Sequence, residues 1–311
     1  MQAMHSHTGA WGRDDMSNNV TTNYKGRFAP SPTGPVHFGT LIAAVGSYLQ
    51  AKKNNGKWLI RMEDVDTTRK VADTDKDILN TLESFGFQWD SEILYQSKQT
   101  SHYQQALSQL IEQASAFPCL CTRKQLAKID QIYPGTCRER SLPESESHAL
   151  RLLSKDTVIS FNDVVMGVQS QNIQTQCGDF IIKRRDGLFA YQLAVVVDDA
   201  LQGITEIVRG ADLLDSTPRQ IYLQQLLGYT TPEYCHLPLA VDIEGNKISK
   251  SEGAAKIDVD NRKILLCRVL SFLGQAPPTD LSASSIDDIW EWAIFNWDVS
   301  RVPTDNKNTP I

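Results

Sequence analysis

Between Gly26 and Met62 the chain reads as strand, loop, helix, strand. Gly26-Arg27-Phe28-Ala29 runs into a stretch broken by Pro30, Pro32 and Pro35, with Gly34 and Gly39 among them. Leu41, Ile42, Val45, Tyr48 and Leu49 then recur at helical spacing, and Trp58-Leu59-Ile60-Arg61-Met62 is an apolar strand. A strand, a helix and a second strand in so short a span form a βαβ unit, which starts a parallel sheet with helices packed on it. The loop between strand and helix is also chemically suited to a nucleotide. A helix N-terminus offers unpaired N–H groups and partial positive charge to phosphate, and His37, just before the helix, can donate hydrogen bonds to phosphate oxygens.

A second polar loop, Lys247-Ile248-Ser249-Lys250-Ser251, follows a turn-like Asp242-Ile243-Glu244-Gly245-Asn246. Two lysines three residues apart suit the charge that grows on a leaving pyrophosphate. Alone, each loop is an ordinary surface turn. In this order, with His37 and Lys247 about 210 positions apart, they form a pair.

Further along, residues 73–86 and 97–116 have helical spacing, residues 117–145 are irregular, and Val158-Ile159-Ser160-Phe161 and Asp179–Lys183 read as strands, the latter followed by an Arg185-Asp186-Gly187 turn. Tyr191–Val197, almost wholly apolar, is expected to be a buried parallel strand. Glu206-Ile207-Val208-Arg209 is another strand, a helix covers about 217–227, and two more cover about 261–273 and 285–296, followed by a polar tail. The expected fold is α/β: a Rossmann-like doubly wound parallel sheet with an inserted subdomain and a small C-terminal helical appendix. The expected division is a disordered leader at 1–25, two catalytic halves at 26–116 and 191–255, an insertion at 117–190, and a helical region at 256–311.

The chain is 41% apolar, which suffices for a substantial core, and no apolar run approaches the ~20 residues that span a bilayer. The polar N-terminus has no basic-then-apolar signal pattern, so a cytoplasmic location is expected. A formal net charge of −6 argues against a protein that coats nucleic acid non-specifically. It leaves room for a tRNA enzyme, for which a local basic face is enough: Lys183-Arg184-Arg185 and Arg262-Lys263 with Arg268 are the candidate basic clusters, and the alternative reading of such short runs is a solvated face. Three of the six cysteines, Cys119, Cys121 and Cys137, fall close together and suggest a metal site rather than a disulfide framework. Cys177, Cys235 and Cys267 read as small core residues.

The segment Arg27-Phe28-Ala29-Pro30-Ser31-Pro32-Thr33-Gly34 with His37-Phe38-Gly39-Thr40, together with Lys247–Ser251, resembles the two ATP signatures of class I aminoacyl-tRNA synthetases, in the glutamyl/glutaminyl branch. Arg61-Met62-Glu63-Asp64-Val65-Asp66, the stretch beginning at Tyr191, and Val208-Arg209-Gly210-Ala211-Asp212 are also similar to that branch. The resemblance covers roughly residues 26–255. It implies ATP with Mg2+ as substrate, with His37, Thr40, Lys247 and Lys250 as catalytic residues and His37, Gly39 and Lys250 at the nucleotide. Thr40 stands where the final His of the first signature is commoner. It implies a glutamate pocket of Arg27, Phe28, Ala29, Pro30, Ser31, Glu63, Tyr191 and Arg209, in which Glu63 holds the α-ammonium and an arginine grips a carboxylate. Which arginine takes the side chain stays open.

The chain also resembles the shortened paralogues of glutamyl-tRNA synthetase. By that resemblance Tyr133 joins Cys119, Cys121 and Cys137 around one structural zinc ion, with His148 or a water as the competing fourth ligand. It implies activation of glutamate without tRNA and transfer to queuosine in the anticodon stem-loop of tRNA(Asp). In keeping with this, the chain stops about 60 residues after the second loop, too few for an anticodon-binding domain. A monomer is expected. The alternatives are a minimal enzyme that charges the 3′ end of tRNA(Glu) and a carboxylate–amine ligase with no RNA partner.

Overall fold

Strand β1 (Lys25–Phe28) pairs in parallel with β2 (Lys57–Met62) across helix α1 (Phe38–Lys53), as the spacing predicts. The computed structural model describes residues 23–126, 132–140, 147–241, 257–305 and 307–308. Residues 1–22 of the expected leader and the Lys247–Ser251 loop lie outside these residues, whereas Lys25, expected in the leader, opens β1.

Helix α2 (Thr74–Ser84) leads to β3 (Leu94–Tyr95), which pairs in parallel with β2. Helix α3 (Thr100–Glu112) stops earlier than expected, because Ala114 takes a left-handed turn (φ 51°) and the chain enters β4 (Ala116–Cys119). After the short α4 (Arg123–Leu126) come β5 (Ala149–Leu152), β6 (Val158–Asp163), β7 (Gly167–Asn172) and β8 (Ile181–Lys183). Strands β4, β5 and β8 form an antiparallel sheet of their own. Helix α5 (Tyr191–Gln202), β9 (Glu206–Gly210), α6 (Thr217–Leu227) and β10 (Glu233–Leu237) follow. β10 lies parallel to both β9 and β6. The chain closes with β11 (Ala240–Val241), α7 (Arg262–Phe272), α8 (Ile286–Asn296) and β12 (Lys307–Asn308).

Residues 191–197 are the main correction: they are the first turns of α5, not a strand. A short apolar run does not distinguish a buried strand from a buried helix by periodicity. Here the helix continues through Asp198 and Asp199 and ends at Gly203, whose left-handed φ of 64° forms the C-cap. Residues 193–199 are buried without interruption because the helix is packed on several sides. The tail after α8 is also less polar in practice than in sequence, since Trp297 and Val302 are buried in the core. Strands β3, β4, β5, β7, β10, β11 and β12 have no counterpart in the sequence reading, and β4 runs into the stretch read as irregular.

Side chains alternate across the parallel strands. Trp58, Ile60 and Met62 join a core with α1, α2, α7 and α8, in which Phe87 stacks on Trp58, Tyr48 meets Trp58 and Trp290 edge-on, and Trp290 is tilted against Phe87. Leu59, Ile207 and Tyr234 face the other way, into a core built by α3, α5 and α6. Helices therefore cover both faces, as in a doubly wound sheet. Gly46 lets α1 press onto β10, because a Cβ there would lie 2.4 Å from Leu237 Cδ1.

The two parallel ladders, β1–β2–β3 and β9–β10–β6, abut at β1 and β9. The Thr205 N–H donates to Lys25 O at 2.9 Å, and the Lys25 N–H to Thr205 Oγ1 at 2.9 Å. From β1 the chain winds outward one way, and from β9 it winds the other way. The strand order thus reverses between them, and in open α/β sheets the crevice at such a point binds the ligand.

Candidate active site

The crevice between β1 and β9 opens into a cleft of about 510 Å3. It is lined by Arg27, Phe28, Ala29, Pro30, Ser31, His37, Gly39, Thr40, Glu63, Tyr191 and Arg209, which are all of the predicted pocket and nucleotide residues outside the second loop. Lys247 and Lys250 belong to that loop and lie outside the described residues. Val208, Asp212 and Leu237 are among the other residues of its walls.

His37 is the N-cap of α1. Its Nδ1 accepts from the Thr40 N–H at 3.4 Å, which places the ring proton on Nε2. The first turn of α1 carries no acid, so the helix end keeps its positive potential. Opposite, the Glu63 N–H donates to Pro30 O at 3.0 Å, which ties the end of β2 to the Pro-rich loop.

The three arginines of the site sit on the strand ends, on the face that packs against α5 and α6, but they are held differently. Arg27 and Arg61 share one carboxylate: Arg27 Nε donates to Asp199 Oδ1 at 2.9 Å and Arg61 Nη2 to the same oxygen at 2.5 Å. All three side chains are almost wholly buried. Burial raises the Asp199 pKa, yet the two guanidiniums outweigh it and hold the carboxyl below its usual range. Asp198, next to it, accepts from Gln96 and from the Tyr103 hydroxyl, both at 2.8 Å.

Arg209 has no such partner. Its Nε donates to His236 Nε2 at 3.0 Å, and its Nη2 to Thr217 Oγ1 at 2.8 Å and to Leu213 O at 3.4 Å. Its Nη1 is buried with no hydrogen-bond partner among the described residues. A buried guanidinium donor without an acceptor is costly unless a ligand supplies one. Glu63 shows the complementary imbalance. Burial, only partly opposed by Arg61 and Arg27, pushes its carboxyl up to about 7. Burial likewise keeps the Tyr191 phenol protonated, pushed up to about 12.

Asp199, His236, Asp163 and Thr217 were not singled out from sequence. The one available signal was Asp198-Asp199 at the end of an apolar run, where a buried acid demands a cation.

A second cluster lies at the end of β4, beside the β4–β5–β8 sheet. The sulfurs of Cys119, Cys121 and Cys137 lie within 4.8 Å of one another. The Tyr133 hydroxyl is 3.5 Å from Cys119 Sγ and 3.6 Å from Cys121 Sγ, and the Cys121 and Cys137 sulfurs are 3.6 Å apart. Ligands at tetrahedral zinc are separated by about 3.3–3.8 Å, given bonds of about 2.0–2.3 Å. Three of the six separations among these four atoms fall in that range, and the three sulfurs are close enough together to hold a metal ion. Burial raises the Cys137 pKa, but hydrogen bonds from Tyr133, the Leu120 backbone and the two neighbouring thiols bring it down to about 7. Arg151 adds positive charge, with its Nε 3.3 Å from Cys119 Sγ and its guanidinium over the Tyr133 ring at 4.1 Å. Cys235 is buried core; Cys177 and Cys267 are only partly buried.

Of the residues in the candidate basic clusters, Arg184 pairs with Asp66 and Asp186, and Arg185 donates to Leu120 O beside the cysteines. These are structural contacts. No described helix is long and apolar enough to cross a membrane.

The sheet, the reversal point and the two-sided cleft define a class I synthetase catalytic fold, and comparison with known proteins agrees. The catalytic-domain family of class I tRNA synthetases (E and Q) matches residues 23–274, and the chain belongs to this family. Relatives named glutamyl-Q tRNA(Asp) synthetase are similar over almost their whole length. The protein of Dechloromonas aromatica (strain RCB) is 49% identical over 292 residues, covering 91% of this chain and 97% of the relative. That of Ectopseudomonas mendocina (strain ymp) is 47% identical over 284 residues, covering 91% and 96%. Among solved structures, glutamate-tRNA synthetase from Elizabethkingia anophelis superposes with a TM-score of 0.79 at 26% identity, covering 93% of this chain and 68% of that one. A glutamate tRNA ligase from Elizabethkingia meningosepticum, solved with its amino acid, gives 0.78 at 27%, covering 92% and 67%.

Proposed function

We propose that this chain activates L-glutamate with ATP and Mg2+ and transfers the glutamyl group to the queuosine base at the wobble position of tRNA(Asp). The observation that carries this reading is the end-to-end similarity to relatives of that name. Charging of tRNA(Glu) and a ligase without RNA find no comparable support.

In the first step a glutamate α-carboxylate oxygen attacks the α-phosphorus of ATP. The bond from that phosphorus to the bridging oxygen breaks, and pyrophosphate leaves. Glu63 receives the substrate ammonium and Tyr191 hydrogen-bonds beside it. Arg209 Nη1 donates to a substrate carboxylate, while Arg27, held by the Asp199 carboxylate it shares with Arg61, shapes the floor. Phe28, Ala29, Pro30 and Ser31 form the wall. His37, Gly39 and Thr40 meet the nucleotide at the N-terminus of α1, and Lys247 and Lys250 neutralise the departing pyrophosphate. Catalysis is positioning plus charge stabilisation, with no covalent enzyme intermediate. In the second step a hydroxyl of the queuosine cyclopentenediol attacks the acyl carbon and AMP leaves.

Cys119, Cys121, Cys137 and Tyr133 hold one structural zinc ion, which pins the insertion at 117–190 between the catalytic halves at 26–116 and 191–255, with 256–311 as the helical appendix. The protein acts as a cytoplasmic monomer. Glutamate-dependent exchange of pyrophosphate into ATP in the absence of tRNA tests the activation step. Exchange that appears only with tRNA, or with another amino acid, contradicts it.

A further inference from the structure

Three neighbouring strands each place one residue in a line across the sheet. Arg209 on β9 is the register partner of His236 on β10, and Asp163 ends β6 on the other side of β10, two residues out of register with His236. His236 Nδ1 lies 2.6 Å from Asp163 Oδ2, and His236 Nε2 lies 3.0 Å from Arg209 Nε. The Asp163 and His236 side chains are wholly buried. We propose that Asp163 and His236 are positioning residues: the chain carboxylate–imidazole–guanidinium fixes Arg209 so that its Nη1 alone is left to meet the substrate carboxylate.

Hydrogen-bond chemistry sets the direction of every link. An arginine Nε–H is always a donor, so His236 Nε2 must accept. The ring is then neutral with its proton on Nδ1, and that proton goes to Asp163. Burial depresses the imidazole pKa, which keeps it neutral. Asp163 is locked in turn: Oδ1 accepts the N–H groups of Val165 at 3.1 Å, Met166 at 2.8 Å and His236 at 3.1 Å. The Thr217 hydroxyl, 3.2 Å from His236 Nε2, holds Nη2 of the same guanidinium. The Arg209 guanidinium carbon lies 5.5 Å from the centroid of the Tyr234 ring. The result places a full negative charge two links from Arg209 without letting a carboxylate occupy it. A carboxylate in direct contact, as Asp199 is with Arg27, would compete with the substrate.

The inference rests on the reading of Arg209 as a glutamate ligand, and the experiment separates the two. Asp163→Asn keeps an oxygen for the three backbone N–H groups and turns an amide N–H toward His236 Nδ1. The ring proton is driven to Nε2, where it opposes the Arg209 Nε–H. In glutamate-dependent pyrophosphate exchange, Asp163→Asn is expected to raise KM for glutamate about tenfold or more and to leave KM for ATP within about twofold. Asp163→Asn combined with Arg209→Lys should be little worse than Arg209→Lys alone, because both remove the same interaction. If Arg209→Lys leaves KM for glutamate unchanged, the assignment of Arg209 fails. If Arg209→Lys raises it and Asp163→Asn does not, the relay is overturned. Nitrogen-15 NMR of histidine in the unaltered protein gives an answer even if Asp163→Asn fails to fold. His236 should be the neutral Nδ1–H tautomer at neutral pH, and an Nε2–H tautomer or an imidazolium overturns the proposal.

Discussion

Arg27 Nε donates to Asp199 Oδ1 at 2.9 Å, deep beneath the cleft. The first arginine of the Pro-rich signature is therefore held by a carboxylate of the protein itself, which it shares with Arg61. Arg209, whose partners are His236, Thr217 and a carbonyl, keeps one donor for a ligand. Two arginines that look equivalent in sequence thus do different work, and the difference can be measured.

Arg209→Lys replaces a planar fork by a single ammonium that cannot hold His236, Thr217 and a substrate together. A lost hydrogen bond to a charged group is worth about 1.5–3 kcal/mol, or roughly 10- to 150-fold in KM for glutamate. Pyrophosphate exchange at varied glutamate measures it, and an unchanged KM contradicts the assignment.

Asp199→Asn acts on folding first. It leaves two buried guanidiniums without their shared carboxylate, and removal of one partner of a buried ion pair costs about 3–5 kcal/mol. The urea midpoint should fall accordingly. A midpoint equal to that of the unaltered protein would show that the pair carries little stability.

Much of this was legible beforehand. The βαβ start, the nucleotide loop and the pocket residues from Arg27 to Arg209 followed from local pattern and resemblance, and one cleft gathers them. What stayed illegible was long-range. Asp199 lies 172 positions from Arg27, and Asp163 lies 73 from His236, and no local pattern signals such pairs. The stretch beginning at Tyr191 was misread as a strand for a related reason: burial on several sides erased the periodicity that would have marked α5 as a helix.

The raised pKa of Glu63, about 7, predicts an acid limb in kcat/KM for glutamate. The sign follows from the ligand. An ammonium is held by the carboxylate and not by the neutral acid, so efficiency falls as pH drops below 7 and levels off above it. The residual activity of Glu63→Gln should lack this limb. Its persistence there would assign the limb to another group.

Metal analysis should find about one zinc per chain, lost together with thermal stability on chelation. Cys137→Ser should lower both zinc content and Tm. A metal-free protein with unchanged stability would leave Cys119, Cys121, Cys137 and Tyr133 as a purely hydrogen-bonded cluster.

The most direct test of the central claim is transfer of labelled glutamate to two tRNA(Asp) preparations that differ only at the wobble base, queuosine in one and guanine in the other, with tRNA(Glu) alongside. Label on the queuosine form alone is the predicted result. Label on tRNA(Glu), or equal label on both forms of tRNA(Asp), would contradict it.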